Sequence, residues 1–268
     1  MNNLYQKLAP ISEAAWAQIN EEATRTLKRY LAGRKVVDVT GPAGFDLSAV
    51  GTGHIKSIAS ADKAVQAAIR EVNPLVELRV PFELSRAAID DVERGAEDSD
   101  WQPLKDAAQK IAYAEDRAIF EGYSAAGIQG IQKGSSNKVV SLPNSVKNYS
   151  DAVAHALSEL RLAGVNGPYM LVLGADAYVA ISGGSDEGYP VLHHIRDLVD
   201  GDIIWAPSLK GGYVLSTRGG DFKLSLGQDM SIGYLSHTET TVKLYLQESF
   251  TFQFYTSEAV VYLAPPQK

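Results

Sequence analysis

Apolar residues near the start of the chain recur at three- and four-residue spacing, which predicts an amphipathic helix. Ser12 stands where an N-cap is expected, Ile11 and Trp16 have the spacing of a hydrophobic staple, and Gly33 supplies the stop. The apolar stripe of this helix consists of Trp16, Ile19, Ala23, Leu27, Tyr30 and Leu31. Directly after it, residues 34–39 have the composition of a short strand.

The same helical periodicity returns in the middle of the chain and predicts its longest helix. Ser99 or Asp100 is placed to cap this helix, Pro103 fits an early helical position, and Gly122 lies just beyond its end.

The last quarter of the chain has a different period. Apolar and polar residues alternate there, which predicts short strands with one apolar and one wet face. Glycines at Gly219, Gly220 and Gly227 mark the turns between them. The alternating apolar positions are Val242, Leu244, Leu246, Phe250, Phe252 and Phe254.

Two segments lack a clear pattern. Residues 47–73 are rich in small side chains, and a stretch this long without periodicity is unusual inside a compact domain. We interpret it either as a flexible lid or as an extended arm that gains its order from neighbouring subunits. Residues 182–190 form a glycine-rich run that predicts an exposed loop.

Composition narrows the classes of function. The 268 residues carry a net charge of −7, with 45% hydrophobic and 21% charged residues and no cysteine. The charges are scattered, so binding to nucleic acid through a basic patch is not expected. No apolar run is long enough to span a membrane, and the first residues lack a secretory pattern. These features are typical of a soluble cytoplasmic protein that binds neither nucleic acid nor membrane.

Candidate chemistry is almost absent. The five histidines have no metal-binding spacing, and no serine or glycine motif has the pattern of a nucleophile elbow or a phosphate loop. The RGGDF run is interpreted as a turn between strands. Adjacent carboxylates such as Glu115 and Asp116 diverge on a helix, so they are predicted to form solvated faces. The sequence therefore predicts no catalytic residues, no metal and no cofactor.

Several separated motifs resemble those of the encapsulin (linocin-type) shell proteins, and their residues are similar to those of actinobacterial members. The motifs are MNNLYQKLAPISEAAW, RTLKRYLAGRKVVDVTGP, LVELRVPFELSR, IDDVERGAEDSDWQPLKDAA, AEDRAIFEGY, LSELRLAGVNGPY, GDIIWAP and STRGGDF, followed by LGQD and SIGY. The resemblance covers essentially the whole chain. It implies an α+β fold of the Hong Kong 97 phage-capsid type and a non-enzymatic shell of about 60 copies with icosahedral symmetry.

The resemblance also implies one capsid-like fold over residues 1–268, divided into lobes. The expected lobes are an N-terminal helix with the start of the peripheral domain (1–46), an extended loop (47–74), the peripheral domain with its spine helix (75–131), an axial domain (132–225) and a return to the peripheral domain (226–268).

Two functional surfaces follow from the same resemblance. One is an interior groove that binds the C-terminal targeting peptide of a cargo protein, expected at Leu27, Tyr30, Leu31, Arg34, Asp38, Asp229, Met230 and Ile232. For Leu27 and Leu31, a plain core role is the alternative. The other surface is a pore around the fivefold axis, lined by Ser185, Asp186, Glu187 and Gly188. An acidic ring there would favour cations, including iron, over anions.

The resemblance leaves the contents of the shell open. A dye-decolourising peroxidase and a ferritin-like iron oxidase are the two expected cargo enzymes. A phage or prophage major capsid protein is the alternative function, and an enzyme is a weaker third possibility.

Overall fold

A computed structural model describes residues 3–266 of the chain, so residues 1–2 and 267–268, at the outer ends of the first and last expected lobes, lie outside the described residues. In chain order the elements are α1 (Glu13–Tyr30), β1 (Asp38–Thr40), β2 (Ala49–Ile58), β3 (Ala67–Pro74), β4 (Val76–Ser85), α2 (Arg86–Glu93), α3 (Gln102–Phe120), α4 (Ile131–Gly134), β5 (Val140–Ser141), α5 (Tyr149–Leu162), β6 (Tyr169–Leu173), α6 (Ala175–Gly183), β7 (Ser185–Asp186), β8 (Tyr189–Pro190), α7 (Val191–Leu198), β9 (Ile203–Trp205), β10 (Gly212–Ser216), β11 (Phe222–Leu226), β12 (Ser231–His237), β13 (Thr241–Phe254) and β14 (Val260–Ala264).

The first helix forms where its pattern predicts. The Ser12 hydroxyl accepts a hydrogen bond from the backbone N–H of Ala15 at 3.2 Å, which satisfies one of the free donors of the first turn. The helix ends at Tyr30, with Leu31 as its C-cap, and Gly33 begins a short 3₁₀ turn instead of acting as the stop. Because this turn occupies residues 33–35, the predicted strand at 34–39 is wrong in its first half, and only β1 remains.

The helix α3 packs α1 against the first sheet. Leu104, Ile111 and Ala112 of α3 are fully buried, in one apolar cluster with Ile19 of α1 and Leu244 of β13. The predicted caps of α3 are only partly right, because Trp101 occupies the N-cap position. Asp100 still contributes, since its carboxylate accepts a hydrogen bond from the Gln102 N–H at 2.9 Å.

The first sheet is organised around β13, a single strand of 14 residues where short strands were predicted. It pairs antiparallel with β4 along Thr241–Phe250, with β12 along Val242–Gln247 and with β11 along Phe250–Phe254, while β1 adds to β11 in parallel. The predicted wet face is also wrong for the second half of β13. The polar residues there are buried, and two of them are bonded to neighbours: the Arg79 guanidinium donates to Gln247, and the Gln228 N–H donates to Ser249.

The weakly patterned segment forms an antiparallel ribbon, β2 and β3, that is a two-stranded sheet of its own. Its apolar side chains are exposed within one chain, with Ile55 at 69% and Ile69 at 54%. The segment has no packing pattern because, within the subunit, it has almost nothing to pack against. This geometry is that of an extended arm.

The second sheet has the order β5-β14-β10-β6-β9 and packs with the helices α5, α6 and α7. The last strand of this sheet in chain order, β14, pairs with β10 and not with a strand of the first sheet. The chain therefore enters the first sheet, moves to the second, returns through β11–β13 and leaves again with β14. Residues 226–268 therefore contribute to both sheets, since β12 and β13 lie in the first sheet and β14 lies in the second.

In the part of the chain that the structure describes, no helix combines the length and the apolar composition required to cross a bilayer.

Candidate functional site

Arg34 lies at the point where four segments of the fold meet. It follows the end of α1, and its guanidinium reaches Glu115 on α3, Glu248 on β13 and Asp229 in the turn between β11 and β12. The Nε–H donates to both oxygens of Glu115, at 2.9 and 3.0 Å, and Nη2 donates to Glu115 Oε2 at 2.6 Å. Nη1 donates to Asp229 Oδ1 at 2.7 Å, and a longer contact of 3.2 Å joins Nη2 to Glu248. We call these four residues the Arg34 network.

The exposure of the four side chains in the network increases from the core to the surface. The side chains of Glu115 and Glu248 are 0% exposed, Arg34 is 17% exposed and Asp229 is 45% exposed. Burial, followed by the charge of and hydrogen bonding to Glu115, raises the pKa of Glu248 well above its ordinary value. Two buried carboxyl groups thus share one guanidinium, while Asp229 presents its carboxylate at the surface.

Asp116 holds the backbone that carries Arg34. Its carboxylate accepts hydrogen bonds from the Gly33 N–H at 2.8 Å and from the Ala32 N–H at 3.0 Å. These are backbone donors of the 3₁₀ turn, and burial raises the pKa of Asp116 to about 7. A Cβ at Gly33 would lie 2.6 Å from Cδ1 of Ile119, so a larger residue there would require that side chain to shift.

The apolar residues predicted for the groove surround this network. Leu27, Leu31 and Ile232 belong to the buried core between α1 and the first sheet, while Tyr30 and Met230 are half-buried at its border. Of the residues predicted for the groove, Tyr30, Arg34, Asp229 and Met230 therefore remain partly accessible in the single chain. The structure brings together seven of the eight predicted residues.

The eighth residue, Asp38, is engaged elsewhere. Its carboxylate accepts a hydrogen bond from the Gly220 N–H at 2.6 Å and so closes the turn between β10 and β11. In the same turn, Arg218 donates two hydrogen bonds to Asp221, at 3.0 and 2.9 Å. The RGGDF run is therefore a turn between strands, as predicted. Asp38 borders a separate cavity of about 250 Å³ that is also lined by Lys35 and Thr217.

The predicted loop at residues 182–190 is a small hairpin. The end of α6 occupies its first residues, β7 and β8 pair directly, and Glu187 turns the chain with a φ of 47°. The carboxylate of Asp186 lies 3.8 Å from the Lys147 ammonium. The ring of His194 meets that of Tyr189 edge-on with centroids 4.5 Å apart, so the hairpin is braced from α7.

Sequence reasoning missed the buried acids. Glu115 and Asp116 were predicted to be solvated, but both are 0% exposed. A signal was present for each partner in the network. Glu115 and Asp116 lie between Ala112 and Ile119, which mark the buried face of α3. Glu248 occupies the apolar phase of the alternation on β13, where a charged residue is expected only with a partner.

Within residues 3–266, no group of three or more histidine, cysteine, aspartate or glutamate side chains is arranged to hold a metal ion. The Arg34 network places a cation beside acidic neighbours at the border of an apolar cluster.

Comparison with known proteins places the chain among shell-forming relatives. Residues 1–251 match the Linocin_M18 family, described as an encapsulating protein for peroxidase. A type 1 encapsulin shell protein of Rhodococcus erythropolis is 60% identical over 264 residues, covering 98% of this chain and 100% of the relative.

Two solved structures resemble the fold at low identity. The virus-like particle of Pyrococcus furiosus has a TM-score of 0.65 at 14% identity, with coverage of 92% of this chain and 98% of the other. The structure of Gordonia phage Cozz has a TM-score of 0.57 at 12% identity, with coverage of 89% and 87%.

Proposed function

The chain belongs to the linocin-type family of encapsulin shell proteins, and from this membership we propose the finer features of its assembly. Its fold is the α+β, capsid-like fold of the Hong Kong 97 type. It is a structural shell protein, since its relatives are named as shell proteins and not as enzymes. The features proposed below are the copy number of the shell, a groove for a cargo peptide, a pore and the cargo itself. We also propose that the shell is located in the cytoplasm.

The observation that carries the assembly proposal is the exposed apolar ribbon β2–β3. The ribbon has five apolar side chains that are at least half exposed in the single chain, which is costly for a monomer in water: Ile55, Ile58, Val65, Ile69 and Val72. We infer that the ribbon lies over an adjacent subunit. With the symmetry implied by the resemblance, about 60 copies close an icosahedral shell.

The groove beside the Arg34 network is proposed to bind the C-terminal targeting peptide of the cargo. Tyr30 and Met230 offer apolar contacts for alternate side chains of an extended peptide, and the Arg34–Asp229 pair offers polar ones. Asp38 remains part of this proposal only if bound peptide extends toward the β10–β11 turn. The proposed cargo is a dye-decolourising peroxidase or a ferritin-like iron oxidase.

Two measurements test assembly and loading. Electron microscopy of the purified protein is expected to show uniform hollow particles, and a monodisperse monomer would contradict the proposal. A fluorescent protein that carries the C-terminal segment of a dye-decolourising peroxidase, produced together with the shell protein, is expected inside the particles. The same fluorescent protein without that segment is the control, and equal loading of both would exclude a targeting groove.

The hairpin Ser185–Gly188 is proposed to line the fivefold pore. Five copies of Asp186 and Glu187 would surround a narrow opening with negative charge, which raises the local concentration of cations. Shells that carry Asp186→Asn and Glu187→Gln are expected to admit ferrous ion at least about threefold more slowly, measured by a chelator trapped inside. The matched control is Glu239→Gln, which removes one exposed charge from the turn between β12 and β13 in the first sheet. An unchanged entry rate in the double variant would remove the acidic ring from the proposal.

A further inference from the structure

The contacts within the Arg34 network are unequal. Glu115 receives the short, two-pronged contact from Nε and Nη2, whereas Glu248 receives only the 3.2 Å contact from Nη2. A bidentate pair of this kind is the usual geometry of guanidinium with an ionised carboxylate. The geometry therefore marks Glu115 as the member that balances the charge of Arg34.

Glu248 has the opposite surroundings. Its side chain is 0% exposed, and among the described residues its Oε1 atom has no hydrogen-bond partner. The charged groups that face it are Glu115 on α3, Arg34 after α1 and Asp229 in the β11–β12 turn, so acids outnumber the cation. A second ionised carboxylate would bring an uncompensated charge into a fully buried site, which is strongly unfavourable.

We propose that Glu248 is a neutral, protonated positioning residue, and that Glu115 is the ionised partner which fixes Arg34 against Asp229. The proton lets two buried acids share one guanidinium without excess charge. Arg34 is then held with Nη1 directed to Asp229, which ties the β11–β12 turn to the end of α1. This inference rests on the proposed peptide groove, because the groove is bordered by that pair.

The proposal predicts different tolerance of glutamine at the two positions. Glu248→Gln retains a neutral group of the same shape, so shells are expected to load the peptide-tagged fluorescent protein within about twofold of the parent. Glu115→Gln removes the balancing charge, and loading is expected to fall about tenfold. Loading is expected to fall similarly in Glu248→Ala shells, because the shortened side chain leaves a void. Retained loading in Glu248→Gln shells then shows that the site needs a neutral group of this shape. Glu239→Gln, at an exposed position before β13, is the matched control.

Equal loss of loading in Glu248→Gln and Glu115→Gln, or no loss in either, would overturn the charge assignment. Infrared spectroscopy of shells gives an answer that requires no cargo. The carbonyl band of a protonated carboxylic acid is expected in the parent and in Glu239→Gln, and is expected to be weaker in Glu248→Gln. An identical band in Glu248→Gln contradicts the proposal even if Glu115→Gln fails to fold. If parent shells show the band but take up no tagged protein, the peptide groove is wrong and the charge assignment stands.

Discussion

Asp116 couples the turn that carries Arg34 to pH. Burial raises its pKa to about 7 from an ordinary value of 3.8, although two backbone N–H groups oppose the shift. The folded chain therefore holds this proton more tightly than the unfolded chain does. The stability linked to it is fully present below about pH 4 and is lost as the pH rises through about 7.

We expect Asp116→Asn to flatten this part of the pH dependence. Between about pH 4 and pH 7, the parent should lose up to about 4 kcal/mol of unfolding free energy per chain relative to the variant, since asparagine does not titrate. The measurement is the denaturation midpoint of the protein across that range. Asp106→Asn, an exposed position on the same helix, is expected to follow the parent. Parallel curves for the parent and Asp116→Asn would show that Asp116 does not hold a proton in the fold.

At the scale of elements, the β12–β13 pair depends on one missing side chain. Gly233 lies opposite Tyr245, and a methyl group on Gly233 would run into the Tyr245 ring. Gly233→Ala is therefore expected to cost about 2 kcal/mol of stability, since the ring must leave its site. The double variant Gly233→Ala/Tyr245→Ser should recover part of the loss in thermal denaturation. If the two substitutions have simply additive effects, this contact is not the cause.

The ribbon β2–β3 gives a prediction in which assembly is lost and the subunit stays folded. Ile58 and Ile69 lie on the same face of the ribbon, because Ala67 pairs with Ile58 and stands two residues from Ile69. Ile58→Asp with Ile69→Asp is expected to abolish shells while leaving a folded subunit, because the ribbon contributes little to the core of its own chain. Circular dichroism checks that the subunit is folded, and electron microscopy checks that shells are absent. Ser60→Asp, in the turn of the ribbon, adds a charge outside the paired strands and should still assemble.

These elements show what periodicity can and cannot predict. It located α1, α3 and the alternating residues of β13, because burial of one face imposes a period on the chain. It could not show that β13 is continuous, since Glu248 interrupts the apolar pattern and its charged partner, Arg34, lies 214 residues away in the chain. The groove residues came from the family resemblance. The buried acids behind them depend on contacts between segments more than 80 residues apart, which no local pattern encodes.

At the scale of the whole molecule, an aromatic contact joins the second sheet to α1. Trp205 of β9 lies in the second sheet, yet its ring meets Tyr30 of α1 at 5.8 Å and the Arg29 guanidinium at 5.5 Å. Stacking and cation–π contacts of this kind contribute about 1–2 kcal/mol. Trp205→Ala is expected to lower the unfolding free energy by about 2–4 kcal/mol, and Trp205→Phe by less, in chemical denaturation. Equal stability of Trp205→Ala and the parent would mean that this contact does not help to hold α1 against the second sheet.

The alternation of the chain between its two sheets has a consequence for synthesis. The first sheet lacks its central strand until β13 has been made, and the second lacks an inner strand until β14 follows it. Domains normally fold from the N-terminus as they emerge from the ribosome, but here the two sheets cannot be completed before β13 and β14 have been made. A nascent or truncated subunit therefore presents no finished surface to its neighbours. We therefore expect shell closure to wait until β14 has been made, and we expect cargo to bind in that interval.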